Sequence, residues 1–308
     1  MMKPWRVLAS LAALCFIFGG SSAFAEDSSS EDIVITGSRT QEAIRNFVTE
    51  LSAPPSREDQ LARWDREVCV GVMGIRARYG QFLVDRISQR AVEVGLRAGS
   101  PGCRANVVVF VTPDSDHFTS ELVQEFPDLV GANWTDNQIT QGREALQEFT
   151  TSSRPVRWWH VANTVSADGE VLGDVQTQNG ARGLSGQVIR TTSLGFGRLS
   201  RTTRQDLSRV IIVIDATRVA GRQFDALADY VAMVALSQVD PDADPSTLDS
   251  ILNLFGDAAS GAPSSLTEWD KAYLTGLYEA PRNARNSQQQ ETAISRSMER
   301  DLVTPPSN

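Results

Sequence analysis

The stretch that most constrains this chain runs from Ser208 to Asp242, SRVIIVIDATRVAGRQFDALADYVAMVALSQVDPD. It opens with a β-branched apolar run, Val210 to Ile214, closed by Asp215. A strand that is apolar at consecutive positions offers neither face to water, so it belongs inside a sheet covered on both sides. A short turn containing Gly221 follows, and then the helix ALADYVAMVAL, apolar over most of its circumference and therefore also buried. The rest of the domain is expected to pack against these two elements.

Upstream, Ile33 to Arg39 (IVITGSR) reads as a short first strand closed by a Gly-Ser turn. Ala43, Ile44, Phe47, Val48 and Leu51 have helical spacing, and Pro54-Pro55 stop that helix. Val68 to Met73 reads as a strand, and Ala77 to Ala98 as a long helix with Leu83, Ile87, Ala91 and Val94 on one stripe, broken by Gly99 and Pro101. NVVVFVT, Asn106 to Thr112, reads as a central strand. Helices are expected around Phe118 to Phe126 and Gln138 to Phe149. Strands are expected at Val156 to Thr164, Val171 to Gln178 and Gln187 to Thr192. In the first of these, Trp158 and Trp159 point to opposite faces, one to the core and the other partly exposed. After the central stretch the pattern turns helical: Thr247 to Phe255, Thr267 to Tyr278 and Ser287 to Asp301. Ser265 or Thr267 is the expected cap of the second, with Asp270 completing a capping box if Thr267 is used.

The first 25 residues have the form of a secretory signal peptide: Lys3 and Arg6, the apolar run Val7 to Phe18, and Ala23-Phe24-Ala25 before Glu26. Its apolar run is too short to anchor the chain, and nothing later is long and apolar enough to span a bilayer. Without Lys3 and Arg6, 27 basic residues stand against 38 acidic ones. That balance disfavours nucleic acid and anionic lipid surfaces as general partners, since a phosphate-binding face needs clustered Lys or Arg. Cleavage removes Cys15 and leaves Cys69 and Cys103, an even count that favours a disulfide in an exported chain.

Catalytic signals are sparse. His117 and His160 are the only histidines, neither has a second His at i+4, and no CxxC, Walker loop or G-x-G-x-x-G occurs. The Gly-containing turns at Gly183 to Gly186 and Gly195 to Gly197 do not fit a nucleophile elbow. Carboxylates remain. Asp225 and Asp229 lie at i, i+4 on the central helix, and Asp114 and Asp116 open a loop after a buried strand. The bland roles are a helix-dipole contact for Asp225 and capping for Asp114 and Asp116. Asp229 stands out because it lies inside an otherwise apolar helix.

The order of a strand ending in Asp215, ALADYVAMVAL, DSILNLF and LTEWDKAYLTGLYEAP, with VCVGV and PGCRANVVVFVTPD upstream, resembles an uncharacterised family of exported bacterial proteins. That family is a domain of unknown function (2927) thought to be zincin-like. The resemblance covers Trp64 to Tyr278; in a true zincin the central helix would carry His-Glu-x-x-His, whereas the family resembled has acidic and amide side chains there. The motif falls on Ala228-Asp229-Tyr230-Val231-Ala232, so both ligand positions are alanine and only an acid stands where the general base would be. A one-turn shift would bring in Asp225.

The expectation is an α/β or α+β fold: a mixed sheet, a long packing helix and a helical C-terminal part, zincin-like. The organisation is a signal peptide (1–25), a flexible start and first helix (26–62), a sheet and helix core (63–215), a helical part of the same domain (216–303) and a tail (304–308). No cofactor or metal is expected. The function read from these residues is that of an exported, periplasmic or secreted, non-catalytic domain. It would bind an envelope protein or cell-wall component in a cleft between sheet and helical part. A hydrolase using Asp225 and Asp229 without histidine is the alternative.

Overall fold

A computed structural model describes residues 29–54, 60–132, 138–170, 201–256 and 261–303, with the side chains of the first segment described from Arg39 onward. The expected signal peptide, the strands at Val171 to Gln178 and Gln187 to Thr192, and the turns at Gly183 to Gly186 and Gly195 to Gly197 lie outside the described residues.

Five strands form one mixed sheet: β1 (Val70–Met73), β2 (Val107–Thr112), β3 (Gln138–Ile139), β4 (Val156–Ser166) and β5 (Thr203–Asp215). Their order is β1-β2-β5-β4-β3. β1, β2 and β5 run parallel; β4 is antiparallel to β5, and β3 to β4. The fold is α/β, as the sequence led one to expect. β5 lies at the centre, paired by Val210 to Val107 on one side and by Ile214 to Val156 on the other. Its consecutive apolar residues divide between two cores. Val210, Ile212 and Ile214 enter the larger one, and Ile211 and Val213 the smaller. That division is why five β-branched residues can follow one another without an exposed face.

The larger core lies under α1 (Ser29–Leu51), α2 (Ala77–Glu93), α5 (Phe224–Leu236), α6 (Glu268–Glu279) and α7 (Ser287–Val303). The smaller lies under α3 (Ser115–Glu125) and α4 (Arg143–Thr151). Every residue of α5 from Ala226 to Leu236 is buried, so the helix is enclosed on all sides. The polar last helix, α7, is anchored by Ile294 and Met298. Two 3₁₀ turns, Pro245–Thr247 and Ile251–Phe255, replace the single helix expected over Thr247 to Phe255. Buried Asp270 holds the second in place, accepting from Ser250 Oγ (2.6 Å) and the Ile251 amide (2.8 Å). The same carboxylate completes the capping box with Thr267, which is the cap of α6.

Four further expectations need correction. Ile33 to Arg39 is not a strand but the first part of α1. No described strand pairs with it, whereas extending the helix adds one backbone bond per residue. The helix from Ala77 stops at Glu93 rather than Ala98. Gly95, at φ 81°, donates to Val92 and Leu96 donates to Ala91, the 5→2 and 6→1 bonds of a Schellman ending. Ala98 then bridges to Val68. Gln138 does not begin a helix. Gln138 and Ile139 pair with Asn163 and Ala162, and α4 starts only after Gly142, whose φ is 98°. Trp158 and Trp159 do point to opposite faces, but both are buried, because α3 and α4 cover the second face.

Cys69 and Cys103 form the expected disulfide, with Cα atoms 6.1 Å apart. It joins the segments that lead into the neighbouring parallel strands β1 and β2. No helix among the described residues is long and apolar enough to cross a membrane.

Candidate functional site

Asp229 sits in the middle of α5 and is wholly buried. Its carboxylate faces α2 and the segment before α6. Oδ1 accepts from Arg90 Nε at 2.9 Å, and Oδ2 from Arg86 Nη1 at 2.9 Å, Arg90 Nη2 at 3.0 Å and the Leu266 amide at 3.2 Å. Arg86 reaches Asp225 as well, at 2.9 Å, so the two acids singled out from the sequence share one guanidinium. Asp225 is exposed. Burial alone would push the Asp229 carboxyl up. The hydrogen bonds and charge of Arg90, and then of Arg86, outweigh it and hold the group below the usual carboxylate range. The acid therefore faces donors in all its described contacts, an arrangement that ties α5 to α2 and to the approach of α6. Ala228 and Ala232, which the expected register would align with metal ligands, are fully buried. Among the described residues no group of three His, Cys, Asp or Glu side chains is arranged to hold a metal ion.

Neither histidine meets the carboxylates of α5. His117 is exposed on α3, with Nδ1 3.3 Å from Glu121. His160 is buried on β4 with Nε2 2.9 Å from the Val234 carbonyl, to which a neutral ring donates. Burial lowers its pKa to about 4 against the favourable backbone groups of Val234 and Ser237.

A second polar cluster lies where the chain leaves β2 for α3 on one face of the sheet and β5 for α5 on the other. Diverging exits of this kind open a crevice at the carboxyl ends of parallel strands. Asp114 takes its expected capping role, accepting from the His117 amide at 3.0 Å. Asp116 pairs instead with Arg157 and with Arg218, the latter at 2.7 Å. Asp215, at the end of β5, accepts from Ser115 Oγ (2.8 Å), Thr217 Oγ1 (2.5 Å) and the amides of Thr217 and Arg218. Burial opposes ionisation of Asp215. The hydrogen bonds from Thr217 and Ser115 outweigh it and place its pKa well below the usual range. This network fastens the turn after β5. Sequence reasoning missed Arg157, a buried cation that also donates to Thr119 Oγ1 at 2.8 Å and to the Thr150 carbonyl at 3.0 Å. Its one signal is a charge inside the apolar run VRWWHV.

A cavity lies beside β4. β3 reaches only Ala162 and Asn163, and no described strand pairs with Val156 to Val161 on that side. Of about 250 Å³, the cavity meets this stretch at Arg157, Trp158 and Trp159. It is lined from one face by Ala145 and Phe149 of α4, and from the other by Ala53 and Pro54 after α1 and by Pro241. Residues from both faces meet in one cavity only where the sheet ends. Charge marks its rim: Arg154 lies between Glu148 (3.0 Å) and Asp242 (2.5 Å). No protein-family model, curated protein or solved structure matches this chain.

Proposed function

We propose that this chain is an exported, non-catalytic domain that binds an extended segment of an envelope protein in the cavity beside the unpaired stretch of β4. The observation that carries the reading is the cavity lined by Arg157, Trp158 and Trp159, within the stretch of β4 that has no described strand on that side. A strand edge carries main-chain donors and acceptors at the spacing of another extended chain, and flanking side-chain space adds selectivity. Such an edge matches a polypeptide better than a glycan, so a protein partner is favoured over a cell-wall component.

The non-catalytic part rests on α5. The acid in the general-base position is held by two arginines and an amide, and alanines stand at both ligand positions. A mixed sheet with α2 packed against α5 suits the zincin-like plan implied by the resemblance. Export is supported by the amino-terminal sequence and is compatible with the disulfide.

The test is selection of peptides from a displayed library, followed by hydrogen exchange with the best binder. Slowed exchange of the amides of Val156 to Val161 is expected, and Ala145→Arg, which fills the cavity, should weaken binding at least tenfold. Protection confined to another surface would refute the assignment, as would binding of muropeptides but no peptide in the cavity.

A further inference from the structure

At the opposite end of the sheet, near the amino ends of β1 and β2, lies a second cavity of about 410 Å³. Its charged lining is Arg66, Glu67, Arg104 and Arg209, three cations and one anion. None of the three guanidiniums has a carboxylate within 4.0 Å among the described residues. Arg86, Arg90, Arg157 and Arg204 each meet one. Three cations to one anion in a single cavity run against the balance of a chain whose acidic residues exceed its basic ones.

The cluster is also fixed in place. The Cys69–Cys103 disulfide lies between Arg66 and Arg104 and clamps the two segments that carry them. Asn106 clasps the same segments a second time, its Nδ2 donating to the Glu67 carbonyl (2.8 Å) and its Oδ1 accepting from the Cys69 amide (2.8 Å). Arg209, on β5, is held by the Leu129 and Asp128 carbonyls, at 2.8 and 3.3 Å from Nη1. Burial, and then the nearby charge of Arg104, lower the pKa of Arg209. Ser208, Gln138 and Asn163 complete a polar lining, and Asn163 Oδ1 is buried without a hydrogen-bond partner.

We propose that this cavity binds a phosphate group, gripped by Arg66, Arg104 and Arg209. The net lining charge of +2 from three arginines and one glutamate matches a phosphate monoester, which carries about −1.5 to −2 at neutral pH. The planar guanidinium fork suits paired phosphate oxygens. The volume leaves room for a small body carrying the phosphate, whose hydroxyls would meet Asn163 and Ser208. Two sources share this chemistry: a soluble phosphorylated compound and the phosphate headgroup of a lipid.

Inorganic phosphate titrated into the purified chain at constant ionic strength is the direct test, read by calorimetry and by the melting temperature. Saturable binding with a raised melting temperature is expected. Arg66→Ala/Arg104→Ala should lose at least tenfold in affinity while melting as the parent does in phosphate-free buffer. Both side chains are exposed, and Arg104→Gln serves as a second, milder variant. Flotation with vesicles of phosphatidic acid in phosphatidylcholine separates the sources: phosphate-competed binding identifies a headgroup, and phosphate binding without flotation a soluble ligand. The proposal is overturned if neither probe binds, if sodium chloride of equal ionic strength gives the same shift, or if both variants bind phosphate like the parent.

Discussion

Asp229 shows how a residue's chemistry depends on what it faces. An aspartate inside an apolar helix is expected to be either reactive or paired, and here two arginines and a backbone amide take its lone pairs. Removing one member of a buried charge cluster leaves the others uncompensated, at a cost of roughly 3–5 kcal/mol. Asp229→Ala should therefore lower the unfolding free energy by about that much in urea titrations, with Asp229→Asn in between, while Asp225→Ala changes it by less than about 1 kcal/mol because that acid is exposed. If Asp229→Asn melts like the parent, the tie between α2 and α5 is not carried by this residue. The sequence flagged the acid but not its partners. Arg86 and Arg90 lie 143 and 139 residues away along the chain, beyond the reach of any local pattern.

At the scale of elements, the contact of β4 with α5 makes folding sensitive to acid. His160 is buried between them, and its pKa falls from 6.5 to about 4 on folding. Between those values the unfolded chain binds a proton that the folded chain does not, so stability rises with pH in this window. The contribution is complete above about pH 7 and is lost as pH falls towards 4, to the extent of roughly 3 kcal/mol at 1.36 kcal/mol per unit. Urea unfolding at pH 7.0 and 4.5 should show this difference in the parent and lose most of it in His160→Gln. The comparison isolates the histidine because Asp270 and Glu291, whose pKa values are raised by burial, titrate alike in both proteins. Equal differences in the two would mean that water reaches the ring. Elements with strong periodicity, α2, α5 and β5, were readable from their own residues. Those at Ile33 and Gln138 were not, because β-branched propensity and a helical pattern both yielded to the presence or absence of a strand to pair with.

For the molecule as a whole, the disulfide links the two segments entering β1 and β2 and spans 34 residues. In the chain-entropy view such a closure contributes roughly 4 kcal/mol by restricting the unfolded chain. Reduction, or Cys69→Ala/Cys103→Ala, should lower stability by a few kcal/mol, seen as an earlier urea midpoint. A midpoint unmoved by reductant would show that Asn106 alone maintains the join. Sequence by itself determined the enclosed strand and helix, the cysteine pair and the capping box of α6, because each is encoded by neighbours in the chain or by a count. Only the tertiary structure decided that the acid of α5 is tied to two arginines, that Val156 to Val161 of β4 has no described strand on its outer side, and that three distant arginines line one cavity. Those outcomes depend on which segments meet across the sheet, and hydrophobic pattern specifies burial without specifying partners.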